Sequence, residues 1–315
     1  MRRVLVTVAA LGMLAAACGG KSGTESSPAP LTPPTSAPAA SEGASPSTNA
    51  CATDQLNLVK PGQLTVGTDN PAYPPWFSGG TTKGSSWKVD DPNNGKGLES
   101  AVAFEVAKRL GFSSDQVEWV VAPFNQTYAP GSKNYDFAIE QISFTKKRAE
   151  AVDFSDSYYD VNQALVAIKG TPVASATSLA DLKDFSLAAP IGTTAYTYIT
   201  DVIKPNKEPR AFDQDIQKYN AVATGQIDGA LGDLPVILAK TKDPKYAGTV
   251  AACKFQPPVD NAWILPKDSK IIDQVNQIIT DLKNDGTLAA WEKQYVTPLS
   301  GGADPNAVPD CPAFG

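Results

Sequence analysis

The stretch Gln141–Tyr159, QISFTKKRAEAVDFSDSYY, concentrates side chains able to hold a small charged ligand. Arg148 stands just after a short apolar strand, at the mouth of a loop. An Asp-Phe-Ser-Asp turn and a Tyr-Tyr pair are expected to follow it. A guanidinium is a planar fork of donors that meets a carboxylate at two points. An arginine fixed at a strand end is therefore a natural anchor for a small carboxylate. Other chemistry is excluded by what the chain lacks. There is no histidine among its 315 residues, so Ser-His-Asp and Cys-His nucleophiles and His-ligated metals are ruled out. No metal and no cofactor is expected. The formal net charge is −6, with no basic run, which argues against nucleic acid or an anionic membrane surface as a partner.

The elements that position Arg148 begin well down the chain. Residues 1–18, MRRVLVTVAALGMLAAAC, read as a basic n-region, an apolar h-region and small residues before Cys18. That is a secretory signal, too short to span a bilayer as a helix. Small residues before a cysteine also resemble a bacterial lipobox, which would leave Cys18 as a lipidated N-terminus on the membrane. Residues 19–50 are Gly, Ser, Thr, Pro or Ala except at Lys21, Glu25, Leu31, Glu42 and Asn49. Such a segment has too little apolar surface to offset its ordering entropy, so it reads as a disordered tether. Three cysteines remain, Cys51, Cys253 and Cys311. Their spacing fits no zinc motif, and in an exported chain a disulfide is the default. Three pairings are open; Cys253–Cys311, which would staple the C-terminal tail to the body, is favoured.

From Cys51 on, strand and helix patterns alternate. Strands are expected over Gln63–Thr68, Val117–Val121 and Tyr135–Phe144, with a helix over Gly97–Gly111. A second set has strands at Ala164–Lys169, Ser186–Ala189 and Ile227–Leu231, with helices over Thr193–Ile203, Asp213–Thr224 and from Leu234. A last set has a strand at Trp263–Leu265 and helices over Lys270–Lys283 and Leu288–Tyr295. Alternation of this kind predicts an α/β fold with mainly parallel sheets. The order suggests two lobes, 51–162 with 257–315 and 163–256, with the tail assigned to the first. The chain would cross between them near Val161–Gln163 and Gln256–Asn261, and a ligand would lie in the cleft between the lobes.

Six pieces in order resemble the family 3 extracellular solute-binding proteins, the amino-acid receptors of ABC importers. They are LTVGTDNPAYPPW, GLESAVAFEVAKRLG, the Arg148 stretch, SLADLKDFSLAAPIGTTAYTY, ATGQIDGALGDLP, and the ending NAWILPKDS with KNDGTLAAWEKQYV. The resemblance implies a two-lobed periplasmic-binding fold of type II with two hinge crossings. It implies that Arg148 holds the ligand α-carboxylate and that Ser143 adds a hydroxyl. Thr193 and Thr194 would add backbone amides from a helix start, and Asp233 would pair with the α-ammonium. Tyr73 and Phe124 would sandwich the side chain. The expected partners are a free amino acid, a transmembrane permease and the membrane through a lipid on Cys18. The protein would act as a monomer on the outer face of the cell membrane.

Where the family has Thr-Pro-Glu-Arg, this chain has Thr145-Lys146-Lys147-Arg148, and its loop over residues 78–96 is long, with Trp87 as a candidate lid contact. Asp69 would point into the side-chain end of the pocket, and Gln141 would add an amide. Glu140 lies near the same end, where strand alternation leaves its facing open. An acidic ligand would be repelled there, so a basic or polar uncharged amino acid is expected, basic first. Two other readings share this fold. One is an enzyme like the periplasmic aromatic-acid dehydratases, drafting Glu140 or Asp69 as acid or base. The other is a ligand sensor for a signalling partner.

Overall fold

The computed structural model describes residues 56–300 and 302–311. The signal, Cys18, the tether and Cys51 lie outside the described residues. The strands are β1 (Leu64–Thr68), β2 (Val117–Val121), β3 (Phe137–Ala138), β4 (Asp153–Val161), β5 (Gln163–Ile168), β6 (Leu187–Pro190), β7 (Arg210–Phe212), β8 (Gly229–Asp233), β9 (Thr249–Lys254) and β10 (Val259–Leu265). The helices are α1 (Leu98–Arg109), α2 (Phe124–Thr127), α3 (Lys146–Ala149), α4 (Thr194–Thr197), α5 (Asp215–Ala223), α6 (Leu234–Lys242), α7 (Ile272–Asn284), α8 (Thr287–Trp291) and α9 (Thr297–Leu299).

The strands form two five-stranded sheets, ordered β2-β1-β3-β10-β4 and β7-β6-β8-β5-β9. Each has a parallel trio, but neither sheet is mainly parallel as expected, because β10 runs antiparallel to both β3 and β4, and β5 to both β8 and β9. β1 is buried at every position, as a parallel strand covered on both faces must be. Its Leu64 and Val66 share a core with Leu98, Val102 and Val106 of α1 and with Val275, Ile279 and Leu282 of α7. Trp263 stacks on Phe137 in that core, with centroids 4.3 Å apart. The second lobe buries Leu165, Leu187 and Leu231 on one side of its sheet cluster, and Val166, Tyr219 and Tyr246 on the other.

Two segments differ from expectation. The strand expected over Tyr135–Phe144 is ordered as strand only at Phe137–Ala138. The chain leaves the sheet because Gln141 takes a left-handed φ of 48°. Glu99 accepts hydrogen bonds there from its backbone N–H (2.7 Å) and its side-chain amide (2.5 Å). The Asp-Phe-Ser-Asp segment, expected as a turn, is instead the start of β4, a nine-residue strand paired with β10. Its serines suit a strand because they find partners: Ser155 Oγ accepts from Trp263 N–H at 2.9 Å, and Ser157 Oγ donates to Asp160 at 2.6 Å.

The crossings lie together. A single residue, Asn162, joins β4 to β5, and its side-chain amide donates to Phe255 O (3.0 Å) on the return path. Phe255 N–H in turn donates to Gln163 O at 2.7 Å. The tail, expected with the first lobe, is bonded to the second. Cys311 is disulfide-linked to Cys253, with Cα atoms 5.2 Å apart. Lys254 N–H donates to Pro309 O and Cys311 N–H to Lys254 O, both at 2.8 Å. Lys254 Nζ, buried, donates to Val308 O at 2.8 Å. These bonds pair the backbone of the last residue of β9 on its outer edge, where it would otherwise be open. Val296 packs in the first core and Val308 in the second, so the chain passes between lobes a third time.

Candidate functional site

The ends of β1, β3, β6 and β8 converge on a cavity of about 210 Å³. From the first lobe it is lined by Asp69, Tyr73, Phe124, Gln141, Ser143 and Arg148, and from the second by Thr193, Thr194 and Asp233. Every residue expected at the ligand thus reaches one cavity. Trp87 does not; it is buried in the first-lobe core, 7% exposed, because the long loop folds back through bonds such as Gly80 N–H to Asp90 (2.7 Å).

Arg148 rides on the one-turn helix α3, capped by Thr145, whose Oγ1 accepts from Arg148 N–H at 3.1 Å. Lys146 and Lys147 are exposed and Arg148 is buried, so of these three cations Arg148 is the one turned inward. Its Nη1 donates to Ser143 O at 2.7 Å, and its Nη2 donates to Gly192 O of the second lobe at 2.8 Å. The guanidinium lies 4.2 Å from the centre of the Tyr128 ring and 5.4 Å from that of Phe124. Burial holds it below its ordinary pKa, with Tyr128 opposing. An arginine remains a cation nonetheless, with five N–H donors, so an anion in the cavity would relieve its desolvation.

Tyr128 OH also donates to Gly192 O, at 3.1 Å. Gly192 has φ 79°, and a Cβ there would fall 2.3 Å from Asn125 Oδ1. A side chain there is disfavoured both by the left-handed backbone and by this close approach to Asn125. A second seam runs through hydroxyls: Ser143 Oγ lies 3.3 Å from Thr194 Oγ1, which accepts from Gln163 Nε2 at 2.8 Å. Thr193 caps α4, its Oγ1 accepting from Tyr196 N–H at 3.1 Å. The Gln141 amide is held inward by Glu99 rather than left free.

Asp233 ends β8 and precedes α6, yet its side chain makes no capping bond to that helix. Burial pushes its carboxyl up to about 6. Lys218 works against that shift, Asp215 adds to it, and a hydrogen bond from Gln163 lowers it again. Lys218 was not evident from sequence. It is 2% exposed, ion-paired with Asp215, and fills the space beside Gly232, where a Cβ would meet its Nζ at 2.1 Å. The signal for it was faint: Asp215 and Lys218, three apart, read as a solvated helix pair. Glu99 was also missed. It is fully buried at the start of α1, accepting from Gln141 and from Tyr158 OH. Burial pushes it up to about 7, against those hydrogen bonds, with Asp233 adding to the rise. Glu140, whose facing was open, lines the cavity, and its Oε2 is buried without a hydrogen-bond partner. Burial, then Asp69, then Glu99 raise its carboxyl well above the ordinary range.

Residues 64–298 match the bacterial extracellular solute-binding proteins, family 3. The L-cystine-binding protein TcyJ of Escherichia coli is 26% identical over 247 residues, covering 76% of this chain and 85% of that protein. The ABC transporter arginine-binding protein 1 of the same organism is 28% identical over 176 residues, covering 52% of this chain and 67% of that protein. Among solved structures, a solute receptor for L-cysteine from Neisseria gonorrhoeae superposes with a TM-score of 0.64 at 27% identity, covering 78% of this chain and 95% of that one. An ancestral arginine-binding protein bound to arginine gives 0.61 at 26%, covering 74% and 98%. These relatives share the two-lobed α/β architecture of type II periplasmic binding proteins. The chain belongs to the bacterial extracellular solute-binding proteins, family 3.

Proposed function

We propose that this chain is the substrate-binding component of an ABC importer, capturing a free amino acid between its lobes and delivering it to a membrane permease. As a member of an extracellular family it works outside the cytoplasm. One observation carries the reading: a buried arginine on the first lobe and a half-buried aspartate on the second line the same small cavity. A zwitterion needs that arrangement. Each of its charges is costly to desolvate alone and tolerable when paired. Arg148, Ser143, Thr193 and Thr194 would take the carboxylate, and Asp233 the ammonium. Tyr73 and Phe124 would flank the side chain, with Asp69 and Gln141 at its far end. The relatives that bind arginine or cystine support an amino acid as the ligand class. Cys18 would carry the lipid that holds the protein at the membrane, with residues 19–50 as its tether.

A second reading draws on Glu140, whose Oε2 has no hydrogen-bond partner in the cavity. That is the placement an aromatic-acid dehydratase would need for general acid catalysis. Mass spectrometry of protein incubated with amino acids and with cyclohexadienyl acids separates the two: a receptor returns its ligand unchanged.

Thermal-shift screening of the proteinogenic amino acids tests the main reading, since a bound ligand raises stability by mass action. At least one should raise the melting temperature, and Arg148→Ala should weaken its binding by roughly 3 kcal/mol or more by calorimetry while circular dichroism stays native. Unchanged affinity in that variant rejects the role given to Arg148.

A further inference from the structure

Asp69 follows β1 and Glu140 follows β3. The register that pairs Val66 with Phe137 and Gly67 with Ala138, carried on, sets Asp69 opposite Glu140. Neighbouring parallel strands run about 4.8 Å apart, so the two carboxyl groups leave the sheet side by side, and both line the cavity. Two carboxylates sharing a site do not both ionise readily. Glu140 Oε2 is buried and has no hydrogen-bond partner.

The groups whose charge reaches Glu140 are Asp69 and Glu99, both acids. Tyr135 and Tyr128, from the segment between β2 and β3, also face it, and Tyr73 faces Asp69. The site's cations are engaged elsewhere: Arg148 with two carbonyls, and Lys218 with Asp215 beside Asp233. Lys240 of α6 lines the second-lobe wall. The acid pair is thus a half-buried anionic end of the cavity with no cation bonded to it among the described residues.

We propose that Glu140 keeps its proton beside Asp69 in the free cleft and surrenders it when the side-chain cation of a basic amino acid enters, which makes Glu140 a specificity-determining residue. This rests on the amino-acid-receptor reading above and narrows its ligand class. In the exchange the O–H bond of Glu140 breaks and the proton passes to bulk water. The electron pair stays on the carboxylate, and the ligand's ammonium or guanidinium keeps all its protons. One positive charge leaves and one arrives, so that end of the cavity has the same net charge before and after. A neutral side chain brings no charge and displaces no proton.

The test is calorimetric titration of the full chain with L-arginine, L-lysine and L-glutamine. It is run in phosphate and in Tris, whose ionisation heats differ, from about pH 5 to about pH 8. Arginine or lysine should bind with a buffer-dependent heat corresponding to about one proton released, and with affinity rising about tenfold per pH unit on the acid side. Glutamine should show neither effect. Glu140→Gln should remove the buffer dependence and flatten the pH profile for the basic ligands. If that variant does not fold, Asp69→Asn and the wild-type buffer series carry the same test. A basic ligand that binds with buffer-independent heat at every pH overturns the proposal. Binding of neutral or acidic amino acids alone also overturns it, yet leaves the receptor reading standing. Binding of none sinks both.

Discussion

In the first lobe the acids Asp69 and Glu140 follow the strand ends with the buried Glu99 of α1 beside them, and among the described residues no salt bridge reaches any of the three. In the second, Asp233 occupies the matching place at the end of β8, but α5 supplies Lys218 beside it and Asp215 behind that. The two sheets follow one plan, a parallel trio with an antiparallel pair. The fold therefore does not dictate the charge at its strand ends; the flanking helices do. A lobe that carries its own cation keeps its carboxylate nearer to ionisation. A lobe that lacks one favours the protonated form until something cationic arrives.

The widest test of this contrast is the pH dependence of the ligand-free protein. Glu99 in the folded state titrates at about 7 against an ordinary 4.5. A carboxyl raised in this way contributes stability that is fully present below about 4.5 and lost as the pH rises through about 7, on the order of 3 kcal/mol. Asp233, raised to about 6, moves stability in the same direction over a lower window. Urea unfolding should therefore show stability falling between weakly acid and neutral pH, and Glu99→Gln should flatten that fall. A wild-type profile that rises across this range would break the comparison on the first-lobe side.

A second test removes the asymmetry from the other lobe. Lys218→Met leaves the half-buried Asp233 carboxylate without the nearby cation, and should destabilise the protein by roughly 2 kcal/mol at neutral pH. In acid the carboxyl is protonated and the loss should shrink. An equal loss at both pH values would mean that Lys218 acts through packing alone. The smallest expected effect concerns the seam between lobes. Gly192→Ala places a Cβ against Asn125 at a left-handed φ that disfavours a side chain, and should weaken amino-acid binding by about 1 kcal/mol. Affinity equal to wild type in calorimetry would show that the Gly192 contact with Arg148 and Tyr128 is not needed for capture.

Much of the architecture was legible because it is periodic. The stripe Leu98, Val102, Val106 and the short buried strands gave the α/β order, and the motif residues around Arg148, Thr193 and Asp233 fall on one cavity. The unread parts have local physical reasons. β4 is spelled with Asp and Ser, which ordinarily mark turns, and only pairing with the distant β10 makes it a strand. Glu99 stands two residues after Gly97 in a first helical turn, where an acid ordinarily complements the helix dipole at the surface. A Cβ on Gly97 would meet Trp76 O at 2.4 Å; that close approach carries the turn, and Glu99 with it, into the core. Lys218 is hidden for the same kind of reason, since the room it fills exists only because residue 232 is glycine. Sequence spacing reports neighbours along an element. These buried charges are set by neighbours across elements.

The Cys253–Cys311 bond has a topological consequence. It closes residues 253–311 into a covalent ring, and that ring leaves the second lobe, traverses β10, α7 and α8 of the first, and comes back. The C-terminal part of the first lobe is thus a loop with both ends fixed, without a loose terminus from which to unravel. A protease that cuts the backbone once anywhere within the ring does not release a fragment. The two pieces stay joined through sulfur, and the nick becomes visible on a denaturing gel only after reduction.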